Sequence, residues 1–344
     1  MKRPTIPDLA EAAGVSVSTV NRILSGSNSV RPATMQRVQH AAETIGYHGM
    51  GAISDRVNKV KPRYRLAFLL QQSHRELYQL IARKISLACR ARRDDIVEPL
   101  IEFVDILTPE NISARLMALG KECDAVGVIA ADHPLIGHTI RDLSVLRKPV
   151  ISYITDQSAP ERAAYVGTDN WKLGRTAAFL ISRMTPADAR IAVFIGNHRF
   201  MCQDVADASF RSYMREHAPG VFVEDSRPTH ENPDEAYNMV SDLLAERTDL
   251  AGIFIVGGGI SGVLKALRET SEDRRNGIRL ICRDIGPETR KGLTEGLITA
   301  ALCHPLETIS DTLVDTMIEA IINEGRLSAV QRTVPLEIVT PENC

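Results

Sequence analysis

Between Thr5 and Leu24 two short amphipathic runs are separated by a single glycine, and no other segment constrains the chain so tightly. Thr5-Ile6-Pro7-Asp8 supplies an N-cap with an acid that complements the cap and the helix dipole. Leu9, Ala10 and Ala13 then share one face, and Gly14 ends the run. Ser16 can cap a second helix, Val17 to Leu24, with Val20, Ile23 and Leu24 pointing inward. A Ser/Asn-rich loop follows. Pro32 then suits the first turn of a third helix, cored by Met35, Val38, Ala41, Ala42 and Ile45 and ended by Gly46-Tyr47. Two helices joined by a tight Gly-containing turn form a helix-turn-helix, whose second helix enters the DNA major groove. Val17 can pack on a thymine methyl, Ser18 can donate or accept, Asn21 suits adenine and Arg22 suits guanine. Thr5, Ser16, Thr19, Asn28, Ser29, Arg31 and Thr34 are placed to hold phosphates, which fix register without reading sequence. The alternative is an ordinary helical hairpin with a polar wet face.

Charge supports the DNA reading. The whole chain carries only −2, but residues 1–63 hold nine Lys/Arg against four Asp/Glu. A head of +5 therefore sits on a body of −7, as expected when only the head meets phosphate. The six cysteines form no C-x-x-C pair, which reads as reduced thiols rather than a disulfide framework or a metal site. No secretory signal and no membrane-spanning run is visible, so a cytoplasmic protein with no membrane partner is expected.

Residues 48–63 read as a basic linker, with a marginal helix over 53–57. From Leu66 onward buried strands alternate with amphipathic helices. Strands are expected at 65–71, 124–131, 149–154, 164–168, 191–196, 221–224, 252–256, 278–283, 298–302 and 333–339, with helices such as 77–92, 171–184 and 262–270 between them. This alternation means βαβ units and parallel sheets, and about 280 residues of it suit two lobes.

The run from Thr5 to Gly26, extended by Ile45-Gly46-Tyr47, resembles the head of the lactose-repressor (LacI/GalR) family. The resemblance implies a small all-α head on an α/β core of two lobes built like periplasmic sugar-binding proteins, each a parallel sheet with helices on both faces. It implies a homodimer on a palindromic operator, with Val17, Ser18 and Arg22 as base readers. Asn21 stands where the family usually has Ser. The domains then run 1–47 for the head, 48–63 for the hinge and 64–344 for the core. The first lobe takes about 64–158 and 305–328, and the second about 159–304 and 329–344. Tyr165-Val166-Gly167-Thr168-Asp169-Asn170 looks like the strand entering the second lobe. With no Leu-heptad tail after the last strand, a dimer is expected rather than a tail-assembled tetramer.

The hinge departs from the family. Members use a hinge-helix Leu as a minor-groove wedge, but 47–57 has no Leu and two helix-weakening glycines. Ile53 or Val57 is the expected substitute. The core departs too: Ala206 stands where members often place an effector-gripping Arg, and Val256-Gly257 replaces the usual Asn-Asp. Arg199 or Arg283 can compensate.

Strand ends of the two lobes face a cleft, and polar residues there suit a sugar or polyol. Gln72, Asp132, Asp156, Arg199, Gly257, Asp284 and His304 are the expected effector contacts. One motif points elsewhere. Gly257-Gly258-Gly259-Ile260-Ser261-Gly262 satisfies G-x-G-x-x-G between a strand and a helix, the context of a dinucleotide fingerprint. It lies deep in the chain, and no nearby Cys/His or Tyr/Lys set suggests hydride chemistry. A binding lobe without cofactor is therefore expected over an NAD enzyme. A free solute-binding protein is the third class, opposed by the basic head.

Overall fold

The computed structural model describes residues 3–26, 30–325 and 330–344. It divides into two compact units, residues 1–64 with 89–98, and residues 65–88 with 99–344.

The head contains α1 (Ile6–Ala13), α2 (Val17–Ser25), α3 (Pro32–Ile45) and α4 (Met50–Val60). The Asp8 carboxylate accepts from the Thr5 amide at 2.7 Å and the Thr5 hydroxyl at 2.6 Å, fixing the entry to α1. Ser16 Oγ accepts the Thr19 amide at 3.3 Å, as its N-cap role requires. Gly14 closes α1 at φ +62°, a left-handed conformation that costs any side-chain-bearing residue. Leu9, Val20, Ile23, Met35 and Val38 form the core of the head. That core also takes two residues from α4. Ile53 and Val57 are 0% and 1% exposed, so the expected wedge pair is turned into the head's own interior. The linker helix is also longer than expected, because packing of these two side chains offsets the helix cost of Gly51.

The second unit holds two sheets. The elements of the first lobe are β1 (Arg63–Gln71), α5 (Glu76–Ala91), β2 (Ile96–Val104), α6 (Pro109–Glu122), β3 (Ala125–Val128), α7 (Pro134–Val145), β4 (Val150–Tyr153) and β5 (Ala164–Thr168). The second lobe continues with α8 (Asn170–Met184), β6 (Arg190–Ile195), α9 (Met201–His217), β7 (Phe222–Val223), β8 (Arg227–Pro228) and α10 (Pro233–Glu246). It ends with β9 (Leu250–Ile255), α11 (Ile260–Glu269), α12 (Glu272–Asn276), β10 (Arg279–Arg283), α13 (Pro287–Thr294) and β11 (Ala300–Cys303). The chain then returns through α14 (Leu306–Ile322) and β12 (Val330–Val334) before β13 (Glu337–Val339). Sheet order is β12-β5-β4-β3-β1-β2 in the first lobe and β13-β11-β10-β9-β6-β7 in the second, with β8 also on β6.

The architecture is the expected α/β one, with three differences. The stretch 164–168 pairs with β4 and β12, so it lies inside the first sheet, one strand from its edge, rather than entering the second lobe. The stretch 333–339 is two strands in different sheets, broken at Pro335, which has no N–H for a ladder. Its second part, β13, runs antiparallel to β11, so the second sheet is not wholly parallel. Two strands were also absent from the expected set, β2 and the short β8. β2 carries Pro99 and alternates weakly, which an edge position tolerates.

Candidate nucleic-acid interface and ligand cleft

The exposed side of α2 presents one short surface. Val17 is 43% exposed, and Ser18, Asn21 and Arg22 are exposed beside it, while Val20 and Ile23 are buried behind. A large apolar side chain at the capped start of a helix, held outward by a packed rear face, is free to meet a methyl group. Thr5, Ser16 and Arg31 are exposed, and Thr19 and Thr34 are half-buried. Asn28 and Ser29 lie outside the described residues. Arg56 of α4 sets its guanidinium against Gly26, where any Cβ would lie 2.2 Å from Nη1. A cation therefore sits at the C-terminus of α2, where the helix dipole favours it.

The second unit contains a cavity of about 440 Å³ between its lobes. It is lined by ends of β3, β4, β9 and β10 and by the first turns of α5, α9, α11 and α13. Several lining or adjacent residues hold positive φ without being glycine: Gln72 (+42°), Ile154 (+67°), Glu231 (+59°) and Asp284 (+59°). Such conformations cost of order 1–3 kcal/mol and cluster where a site fixes geometry.

Of the expected contacts, Gly257, Asp284 and His304 line this cavity. Four do not. Asp132 accepts the Ser158 amide and hydroxyl, both at 3.0 Å. Asp156 is held by Arg162 and by Ser152 Oγ at 2.7 Å. Arg199 is tied to the other lobe, its carbonyl accepting the Asp132 amide at 2.7 Å and its guanidinium donating to the Asp132 carbonyl at 3.3 Å. Gln72 accepts from Arg75 at 3.0 Å. Each of these side chains is engaged in holding loops and lobes together. Trp171 is half exposed at the start of α8 and does not line the cavity either.

Residues outside the expected set take their places. Arg75 donates to the Glu231 carboxylate at 2.6 Å, an ion pair joining the first lobe to the second. Glu231 also accepts from Gln203 Nε2 at 3.0 Å and the Gly258 amide at 3.2 Å. The glycine run is thereby explained. Its first turn holds an internal carboxylate. Gly259 sits at φ +95°, and a Cβ on Gly262 would lie 1.8 Å from the Pro233 carbonyl oxygen, so that glycine serves close helix packing. Arg75 stood a few residues beyond a strand end and was within reach of sequence reasoning. Glu231 lies in an irregular loop with no periodicity to place it.

Deeper in the cavity, Arg283 donates through Nη2 to His304 Nε2 at 2.6 Å and to Thr168 Oγ1 at 3.3 Å. His304 Nε2 therefore accepts, and Nδ1–H donates to Asp284 at 2.7 Å. Burial holds His304 below its ordinary pKa against the pull of Asp284, and Arg283 adds to the depression. Burial alone would raise the Asp284 pKa, but His304 and Arg283 bring it down to about 2. No group of three or more His/Cys/Asp/Glu suited to a metal occurs among the described residues. No helix among them is long and apolar enough to cross a membrane.

Two family descriptions match the chain: bacterial regulatory proteins of the lacI family over residues 5–49, and the periplasmic binding protein domain over residues 111–325. The HTH-type transcriptional regulator GalR of Lacticaseibacillus casei is 35% identical over 124 residues, 34% of this chain and 36% of that protein. The maltose regulon regulatory protein MalI of Escherichia coli is 52% identical over 46 residues, 13% of this chain and 14% of that protein. The matched segments thus span about a third or less of these relatives. Among solved structures, GanP, a glucose-galactose binding protein from Geobacillus stearothermophilus, superposes with a TM-score of 0.73 at 18% identity. The superposition covers 82% of this chain and 99% of that one. A solute binding protein from Burkholderia graminis in complex with D-arabinose gives 0.73 at 18% identity, over 81% and 96%. At these identities the likeness is one of fold.

Proposed function

The chain belongs to the lacI family of bacterial regulatory proteins and carries a core of the periplasmic-binding-protein domain family. From that premise we propose that it is a cytoplasmic repressor of transcription, a homodimer whose affinity for a palindromic operator is set by a small sugar or polyol between its lobes. The observation that carries the DNA half is the outward face of α2, with Val17, Ser18, Asn21 and Arg22 exposed on a helix capped by Ser16. Val17, Ser18 and Arg22 read bases, and Thr5, Ser16, Thr19, Arg31 and Thr34 hold phosphates. The cleft half is supported by a cavity that sets Arg75, Glu231, Arg283, Asp284 and His304 among largely apolar walls, and by the likeness in fold to a glucose-galactose binding protein and to a solute binding protein in complex with D-arabinose. Effector binding changes the relation of the lobes and hence operator affinity, a coupling of about 1–3 kcal/mol.

An NAD-linked reading of the glycine run loses its support. The Glu231 carboxylate is seated on the Gly258 amide, where a pyrophosphate would have to lie.

Selection of bound sequences from a random duplex pool tests the DNA half. The expected outcome is a palindrome whose binding weakens steeply with salt. Recovery of no common sequence, or a palindrome bound equally well by a Val17→Ala/Arg22→Ala double variant, would sink the assignment.

A further inference from the structure

Two guanidinium groups face the cavity, and they are not equivalent. Arg75 is neutralised by Glu231 at 2.6 Å. Arg283 is only 8% exposed, and its hydrogen-bond acceptors are neutral, the Thr168 hydroxyl and the His304 ring. Its Nε and Nη1 have no hydrogen-bond partner among the described residues. The adjacent Asp284 carboxylate attracts Arg283 through space, but its Oδ1 is spent on the ring and amide of His304 rather than on the guanidinium. Burying a charge without a counter-charge in contact is costly, and native proteins rarely leave one so. Arg283 opens on the same cavity as the first turn of α13, whose amide dipole also favours negative charge, whereas the start of α11 is already taken by Glu231.

We propose that the effector is an acidic sugar, a polyhydroxy ligand whose carboxylate or phosphate binds Arg283. This rests on the cleft being the effector site. The cavity of about 440 Å³ has room for a sugar with such a group. Its apolar walls, Ile129, Ile154 and Phe200, suit the carbon face of the ring. Arg283 is the specificity-determining residue. A neutral sugar leaves its orphaned N–H groups short of charge, whereas an anion supplies charge-assisted bonds roughly twice as strong as neutral ones.

Calorimetry on the full-length chain with matched sets tests this: galactose, galacturonate and galactose 6-phosphate, then glucose, gluconate and glucose 6-phosphate. An acidic member should bind at least about tenfold tighter than its neutral parent. The carboxylate and phosphate arms separate the two sources of the anion. Arg283→Gln should remove the preference, and Arg283→Lys should retain part of it. Should the Gln variant fail to fold, the wild-type comparison and the Lys variant still decide. A neutral parent that binds as tightly as its acid overturns the proposal and leaves the cleft as effector site. Sets in which nothing binds remove both.

Discussion

At the residue scale, the head and the core each turn on a few side chains. Arg22 is exposed on the capped helix, so Arg22→Ala should leave the fold intact. It should cost about 1–3 kcal/mol at one base-pair position and relax preference there, measured by anisotropy titration of operator variants. In the cleft, acid should act through His304. Its folded pKa lies below the unfolded value, so the stability it contributes is full above about pH 6.5 and lost as pH falls through the folded pKa. Asp284 has the same sign, its contribution being present above about pH 3.9 and lost toward about 2. Melting temperature should therefore fall between about pH 7 and pH 5, and His304→Gln should flatten that slope. An unchanged slope in the variant would move the effect elsewhere. Asp284 and His304 were legible as strand-end polar groups. Asp132, Asp156 and Arg199 fitted the same pattern, and only their partners reveal that they hold loops and lobes.

At the element scale, α4 shows how packing overrides propensity. Gly51, the flanking Gly49 and the missing Leu suggest a weak helix, yet Ile53 and Val57 lie four apart and enter the head core together. Ile53→Ala should destabilise the head by about 2–5 kcal/mol, read from its denaturation midpoint. Gly51→Ala should do the opposite, by up to about 1 kcal/mol, because a Cβ there meets nothing within 4 Å. A loss of helix stability in that variant would show that Gly51 serves more than backbone freedom. β2 teaches the converse. Its Pro99 argues against a strand until the strand is known to lie at an edge.

At the scale of the whole molecule, the lobes of the core are joined by contacts that no local pattern predicts. Arg75 and Glu231 are 156 positions apart and meet at 2.6 Å. Glu231→Gln should lower core stability by about 1–3 kcal/mol, the lower end reflecting the partial exposure of Arg75. Urea unfolding of the full chain measures this, and an unaltered transition would mean the pair contributes nothing net. The sequence by itself determined the capped helices of the head, its turn glycines, the βαβ alternation and the two-lobed core. Those follow from short-range periodicity and cap chemistry, which act within a few residues. Only the tertiary structure decided that 164–168 lies inside the first sheet, that Ile53 and Val57 face inward, and that Glu231 fills the glycine turn. Burial and ion pairing depend on what the rest of the chain brings alongside. That is also why Arg283, one strand-end residue among several in the sequence, stands out in the fold as a buried charge with open donors.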